Sequence, residues 1–190
     1  MIELVRIADR PPVPWKNGAG TTRELWARRD DAGTALIRIS IAEISGAQDF
    51  SAFPGIDRVI AQLDGPRMVL TIDGVPHPLT PLAPLPFAGE ARVTCTLDRS
   101  DTAHDLNLMC QRGAFRPAMA RLTLPTGGSV AGAAPGGVTA LLALSDCVID
   151  AGGRHKLGPR DLLVLHGGSD AMASGAADLI MLTAEPVRQG

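Results

Sequence analysis

The chain has 190 residues, and its 18 basic and 20 acidic side chains give a net charge of -2. A charge so near zero argues against nucleic acid or an acidic membrane surface as partner. No apolar run approaches the roughly 18 residues of a membrane span, and the first ten residues lack the pattern of a signal peptide. We therefore expect a cytoplasmic protein of one domain or two joined halves.

Short apolar or alternating segments follow one another along the chain, separated by 21 glycines and 15 prolines. Such spacing leaves few windows long enough for a helix and is typical of a β-sandwich or barrel. The predicted strands are residues 2–7, 34–44, 58–63, 68–72, 91–97, 105–112, 118–124, 138–144, 147–150, 161–165 and 179–183.

Two Asp-Gly pairs indicate turns near the middle of the chain. Asp64-Gly65 separates the strands at 58–63 and 68–72, and Asp73-Gly74 ends the second of these. Because Asp-Gly favours two-residue hairpin loops, we expect a hairpin through Asp64-Gly65.

An internal repeat relates residues 77–90 to residues 155–168. At an offset of 78, five of the fourteen positions are identical, beginning with His77 and His155. Downstream, each copy ends in an apolar strand, at 93–97 or at 179–183. The repeat predicts two copies of one β unit, each too small to cover its sheet faces well alone.

Residues 15–26, with the sequence W-K-N-G-A-G-T-T-R-E-L-W, concentrate polar groups around two glycines. Glycine permits backbone angles and close approaches that other residues do not, so such a segment can bring several donors to one ligand. Lys16 is one of only two lysines in an arginine-rich chain, and the two cations are not interchangeable at a binding site. A solvated turn leading into an edge strand is the alternative.

The repeated pattern of D-G, His, a proline turn and a strand ending in Gly resembles the second half of a cupin barrel. The chain as a whole resembles the HutD/Ves family. The matching residues are Pro14, Trp15, Lys16, Asn17, Gly18, Gly20, Thr22, Arg23 and Glu24; Phe50, Ser51, Phe53, Pro54, Gly55, Asp57 and Arg58; Phe87 and Gly89; and Asp105, Asn107, Met109, Arg112 and Gly113.

This resemblance implies an all-β bicupin, with two tandem cupin-like barrels or sandwiches packed together in a single compact protein. The halves would span about 1–113 and 114–190. It also implies a part in histidine utilisation, with a ligand such as N-formylglutamate or urocanate.

A metal or other cofactor is not expected. Cupin metals are commonly held by an H-x-H plus Glu segment, but residues 45–58 contain no histidine, and the four histidines are dispersed. Cys95, Cys110 and Cys147 are odd in number and far apart, as expected of buried, reduced thiols. No nucleophile motif is present, and Gly18-Ala19-Gly20 lacks a nucleotide-binding context. We assign no catalytic residue.

A pocket for a small acidic metabolite explains the polar residues better than a metal, nucleophile or nucleotide site does. Asp105, Asn107 and Met109 alternate along a predicted strand and so share one face, which a liganded barrel interior would explain. The predicted ligand-binding residues are Trp15, Lys16, Asn17, Thr22, Arg23, Glu24, Asp105, Asn107, Met109 and Arg112. The alternative is a structural salt-bridge cluster of Lys16 or Arg23 with Asp105 or Glu24, and the two can coexist.

The favoured function is a metal-independent sensor or regulator that binds a small carboxylate. The rival is a metal-free isomerase or hydrolase with Glu24 or Asp105 as general base and Lys16 or Arg23 steadying an anion. The third function considered is that of a structural or interaction protein without a ligand in the pocket. Edge strands of such barrels can pair between subunits, so a homodimer is one expected form of the protein. Phe50, Phe53 and Pro54 are interpreted as core plugs, and Asp57 and Arg58 as cross-strand structural pairs.

Overall fold

A computed structural model describes residues 1–15, 18 and 20–187. Its one short helix in the described ranges is a 3-10 turn at Ile7–Asp9, and no described helix has the length and apolar character to cross a membrane. The strands are β1 (Ile2–Val5), β2 (Val13–Pro14), β3 (Gly20–Arg29), β4 (Ala35–Ser45), β5 (Gln48–Asp49), β6 (Ile56–Asp64), β7 (Met68–Ile72), β8 (Val75–Pro78), β9 (Leu85–Ala88), β10 (Val93–Leu97), β11 (Thr102–Gln111), β12 (Phe115–Leu124), β13 (Ser129–Val130), β14 (Val138–Ala143), β15 (Cys147–Asp150), β16 (Arg154–Leu157), β17 (Leu162–His166), β18 (Ala171–Ala173) and β19 (Ala177–Pro186). The all-β prediction is confirmed.

The chain divides into two compact units. We call Pro11–Arg112 the N-terminal unit, and Met1–Arg10 together with Gly113–Gly190 the C-terminal unit. The first ten residues, predicted to belong to the N-terminal half, are in the C-terminal unit because β1 pairs antiparallel with β17.

Each unit contains two antiparallel sheets, and four strands in each sheet follow an order that the two units share. In the N-terminal unit the sheets are β2-β3-β4-β11-β6-β9 and β5-β10-β7-β8. In the C-terminal unit they are β1-β17-β14-β19-β12 and β13-β18-β15-β16. The run β4-β11-β6-β9 in one unit corresponds to β12-β19-β14-β17 in the other. The predicted pair of tandem cupin-like units is therefore present.

The predicted repeat is correct for the hairpins but wrong for the strands that follow them. His77 lies in β8 and His155 in β16, and each is the second strand of an equivalent hairpin. However, β10 corresponds in sheet order to β18, and β19 corresponds to β11. The error arose because β18 has only three residues, too few to form a recognisable pattern.

The two Asp-Gly pairs have different roles. Asp73 and Gly74 connect the paired residues Ile72 and Val75, and their φ angles of 48° and 85° suit a type I′ hairpin turn. In contrast, the hairpin predicted through Asp64-Gly65 is wrong, because β6 and β7 belong to different sheets. This second pair forms a corner, where a Cβ on Gly65 would lie 2.4 Å from the Thr102 carbonyl oxygen.

The interiors of the two units differ in polarity. The C-terminal unit has an apolar core cluster that includes Leu141, Ile149 and Leu163, and within the described ranges it buries two polar side chains, Thr139 and Asp161. The N-terminal unit has an apolar cluster at one end of its interior, which includes Ile60, Met68 and Leu70. It also buries six polar side chains within the described ranges: Ser40, Gln48, Arg58, Gln62, Asp105 and Asn107. Buried polar groups need partners, which directs attention to this interior as a binding site.

Candidate functional site

A cavity of about 820 Å³ occupies the N-terminal unit. It lies over the face shared by β3, β4, β6 and β11, with the segment that follows β5 along one side. The lining residues are Val13, Pro14, Trp15, Thr22, Glu24, Arg38, Ser40, Ala42, Asp49, Phe50, Ser51, Phe53, Arg58, Asp105, Asn107 and Met109. The volume is in the range of about 300–1,000 Å³ that is usual for small-molecule sites.

Strand β11 supplies the centre of the polar lining. Its residues Asp105, Asn107 and Met109 alternate along the strand and all line the cavity, so their predicted common face is confirmed. Met109 lies between Arg38 on β4 and Arg58 on β6 in the sheet register. The register therefore places one arginine on each side of Met109.

Arg58 is a buried cation, only 5% exposed. Its Nε donates to Asn107 Oδ1 at 3.3 Å. The guanidinium carbon lies 5.5, 5.4 and 4.7 Å from the ring centres of Phe50, Phe53 and Phe87, within the range of cation–π contact. No hydrogen-bond partner in the described ranges engages its two terminal amino groups, so these donors are available to a ligand.

The pKa of Arg58 is lowered to about 10, mainly by burial, against the opposing charge of Asp105 and with a smaller lowering effect of the Arg38 charge. Arg58 therefore remains a cation at neutral pH. Because Arg38 and Arg58 repel each other, an anion between them would be stabilised by both.

Asp105 has a carboxyl group with no exposed surface. Asn107 Nδ2 donates to its Oδ1 at 3.5 Å, and its Oδ2 has no hydrogen-bond partner within the described ranges. Burial raises the pKa of Asp105 to about 7, against the opposing effects of the Arg58 charge and the Asn107 hydrogen bond. Both protonation states are therefore populated near neutral pH.

Glu24 lies at a different part of the cavity, between two arginines. Arg38 Nε donates to it at 2.8 Å, and Arg29 Nη2 donates to both carboxylate oxygens at 2.8 and 3.0 Å. Burial favours the neutral form of Glu24, but the hydrogen bonds from Arg38 and Arg29 outweigh it and hold its pKa below the ordinary value. A structural salt-bridge cluster thus exists at Glu24, with Arg29 and Arg38 as members.

Trp15 forms one wall of the cavity. Its Nε1 donates to Thr22 Oγ1 at 2.7 Å, and its ring meets Phe50 edge-on at 6.5 Å. A Cβ on Gly20 would lie 2.4 Å from the Glu43 carbonyl oxygen and 3.2 Å from the Trp15 ring. Gly20 is therefore required where β3 passes close to the Glu43 backbone, and it also leaves room for the indole. Lys16 and Asn17, which are also predicted ligand-binding residues, lie outside the described residues.

Two predicted ligand-binding arginines lie away from the cavity. Arg23 pairs with Ile41 on β4 and lies between the lining residues Thr22 and Glu24, so its side chain is on the opposite face of the sheet. Arg112 follows β11 and binds Asp57 at 2.7 Å and Glu90 at 2.5 Å near the surface. Neither placement suits the predicted ligand contact.

Cysteine and histidine contribute no evident chemistry to the cavity. All three cysteines are buried and unpaired, and burial raises the pKa of Cys95 and of Cys110 to about 12. His104 contacts Asp64 at 2.7 Å and Glu43 at 3.5 Å. Within the described ranges, no set of three or more His, Cys, Asp or Glu side chains converges as a metal site would require.

Comparison with known proteins identifies the chain's relatives. The sequence model of the HutD family matches residues 7–181. The chain belongs to the HutD family. An uncharacterised 21.2 kDa protein of this kind from the hutC 3′ region of Pseudomonas putida is 35% identical over 178 residues, covering 90% of both chains.

Solved structures agree with this family assignment. HutD from Pseudomonas fluorescens SBW25, in a formate condition, is 29% identical with a TM-score of 0.82, over 99% of this chain and 100% of that one. A conserved protein of unknown function from Pseudomonas aeruginosa PAO1 is 28% identical with a TM-score of 0.84, at the same coverage. The fold of this HutD-family chain is thus shared over its full length.

The cavity of this HutD-family protein also contains residues that were not predicted to bind a ligand. Arg38 and Ser40 lie on the polar face of β4, opposite Ile37 and Ile39, and that alternation was the available signal. Asp57 and Arg58 were interpreted as cross-strand structural pairs, and both do bond residues of the β11 segment, Asp57 with Arg112 and Arg58 with Asn107. In addition, Arg58 lines the cavity, which was not predicted. Its aromatic neighbours come from three separate segments, and the sequence does not show that they meet.

Proposed function

We propose that this HutD-family protein binds a small carboxylate in the N-terminal cavity without a metal, as a sensor or regulator linked to histidine utilisation. The observation that carries the proposal is Arg58: a buried guanidinium, held in place by aromatic rings and Asn107, with two amino groups left for a ligand. Paired N–H donors in this fixed geometry match a carboxylate.

The charge of the lining supports an anion. Glu24 is already shared by Arg29 and Arg38, and Asp105 is partly neutral near pH 7. The buried Arg58 therefore lacks a full counter-charge, because Asp105 is the one carboxylate among the described residues whose charge acts on it and the third lining carboxylate, Asp49, is exposed. An acidic ligand of the size of N-formylglutamate or urocanate would fit the volume and supply that charge.

The relatives' names support the biological context of the proposal. The Pseudomonas putida relative is named for the hutC 3′ region, and the Pseudomonas fluorescens HutD structure carries the words formate condition. Formate is the simplest carboxylate.

Thermal-shift and calorimetric titrations with formate, N-formylglutamate and urocanate test this proposal. Binding to the native state raises stability by mass action, about 2.7 kcal/mol at a ligand concentration of 100 times Kd. Amides of the same acids serve as uncharged controls. We expect the acids to bind, the amides to fail, and Arg58→Gln to weaken acid binding at least tenfold.

The matched control is Arg92→Gln, which removes an exposed arginine from the same unit at the start of β10. It should bind like the wild type. Equal affinity for acids and amides, or unchanged acid binding in Arg58→Gln, would remove Arg58 and the carboxylate specificity from the proposal.

A second candidate function is favoured by Asp105 alone. A carboxyl group with a pKa of about 7 is suited to general base catalysis, so an isomerase or hydrolase of a small acidic metabolite is the rival. Glu24 is a weaker base because two arginines hold it as a carboxylate. Product analysis by NMR after incubation with a bound acid separates the two functions. Turnover that Asp105→Asn abolishes, with binding retained, would establish the enzyme.

A further inference from the structure

Asp105, Asn107 and Arg58 form one hydrogen-bonded chain across the floor of the cavity. Arg58 Nε donates to Asn107 Oδ1 at 3.3 Å, and Asn107 Nδ2 donates to Asp105 Oδ1 at 3.5 Å. Arg58 is also the cation whose charge acts on Asp105. Without a ligand, Asp105 is therefore the counter-ion of this buried arginine.

The other groups around Asp105 cannot replace Arg58. On β6, Gln62 is fully engaged, because its Nε2 donates to the Pro66 carbonyl at 2.6 Å and its Oε1 accepts from the Met68 amide at 3.1 Å. On β10, the Cys95 thiol has a pKa raised to about 12 and stays neutral. On β4, Ala42 is apolar, and on β5 the buried amide of Gln48, which pairs in register with Cys95, carries no charge.

The other charged members of the lining are the ion pair of Glu24 on β3 with Arg38 on β4 and the exposed carboxylate of Asp49 on β5, while Ser40 on β4 is uncharged. Arg38 is already bound to Glu24 at 2.8 Å. Asp105 thus depends on Arg58 for its charge, and its Oδ2 has no partner among the described side chains and backbone groups.

Resting on the proposed function, we propose that the cavity takes up its carboxylate together with one proton, which Asp105 holds. The ligand carboxylate replaces Asp105 as the counter-ion of Arg58. A fully buried carboxylate that loses its cation and gains a negative neighbour favours its neutral form. A proton from solution then binds Oδ2, no other bond forms or breaks, and the new O–H is a donor that can face the ligand.

Isothermal titration calorimetry with formate and N-formylglutamate tests this coupling. Tris and triethanolamine are suitable buffers near pH 8, and bis-tris and pyridine near pH 5.5, because the members of each pair differ in ionisation enthalpy and carry no carboxylate or sulfonate. We expect nearly one proton taken up per ligand above about pH 8 and little uptake at pH 5.5. Kd should weaken about tenfold per pH unit above pH 7 and be nearly constant below pH 6.

Asp105→Asn supplies the decisive comparison. Asparagine can still accept from Asn107 but cannot take up the proton, so uptake should fall to near zero and Kd should lose its pH dependence. At pH 8.5 this variant should bind formate at least tenfold more tightly than the wild type does. Binding by the wild type without proton uptake, or unchanged pH dependence in Asp105→Asn, would overturn the coupling and leave the proposed function intact.

If neither the wild type nor Asp105→Asn binds formate or N-formylglutamate at any pH, the proposed function is overturned, and the coupling with it. A ligand-free measurement gives an independent test of Asp105 itself. Carboxyl ¹³C NMR should show one aspartate that titrates near pH 7 in the wild type and is missing in Asp105→Asn. A titration of Asp105 below about pH 5 would contradict the coupling whatever the ligand.

Discussion

Asp105→Asn should change how the free energy of unfolding depends on pH. In the folded protein the pKa of Asp105 is raised from its ordinary value of 3.8 to about 7, so the folded state holds a proton that the unfolded state releases. The stability from this proton is fully present below pH 3.8 and is lost as pH rises to 7. Each pKa unit corresponds to about 1.4 kcal/mol, so the wild type should lose about 3 kcal/mol between pH 5 and pH 8 through this group.

Urea unfolding followed by tryptophan fluorescence measures this loss. Both tryptophans, Trp15 and Trp26, lie in the N-terminal unit, so the signal reports the unit that contains Asp105. The asparagine side chain introduced by Asp105→Asn is always neutral, so the variant should become less pH-dependent by about 3 kcal/mol over this range. Other groups titrate alike in both proteins and cancel in the comparison. Parallel stability curves for the two proteins from pH 5 to pH 8 would refute the assigned burial effect.

Three further substitutions test the description of the cavity. Arg23→Ala should leave carboxylate affinity within about twofold of wild type in calorimetry, because Arg23 lies on the face of β3 opposite the cavity. A tenfold loss of affinity would show that Arg23 takes part in binding. Gly20→Ala should destabilise the N-terminal unit by about 2 kcal/mol or more in urea, since its Cβ would overlap the Glu43 carbonyl; wild-type stability would contradict that close packing. Thr22→Val removes the acceptor of the Trp15 indole and should cost about 1 kcal/mol and shift the fluorescence spectrum; an unchanged spectrum would argue against that bond.

The strand pattern could be predicted from sequence because the burial of a β-strand is visible in its own alternation. Alternation placed Asp105, Asn107 and Met109 together on one face of β11. Sheet membership is not local, so the corner at Asp64-Gly65 was interpreted as a hairpin. Whether an Asp-Gly pair joins two strands of one sheet or turns between sheets depends on pairing partners far along the chain.

The site could be predicted only in part, for the same reason. The motif around Trp15 and Thr22 was found because its residues are neighbours in sequence. Arg58 was missed as a cavity residue because its surroundings come from residues 50, 53, 87 and 107, and no spacing rule links these positions. Arg23 was predicted from its charge and its place in the polar segment, and the alternation of β3 puts it on the face opposite Thr22 and Glu24.

Because β1 pairs with β17, the C-terminal unit consists of two separate stretches of sequence, and the N-terminal unit is the continuous stretch inserted between them. A fragment cut between residues 112 and 113 would separate Ile2–Val5 from the strand that they border and expose a ladder edge on Leu162–His166. By contrast, Pro11–Arg112 can be excised as a single stretch. To study the units separately, residues 11–112 should be expressed as one fragment, and residue 10 should be joined directly to residue 113 in the other.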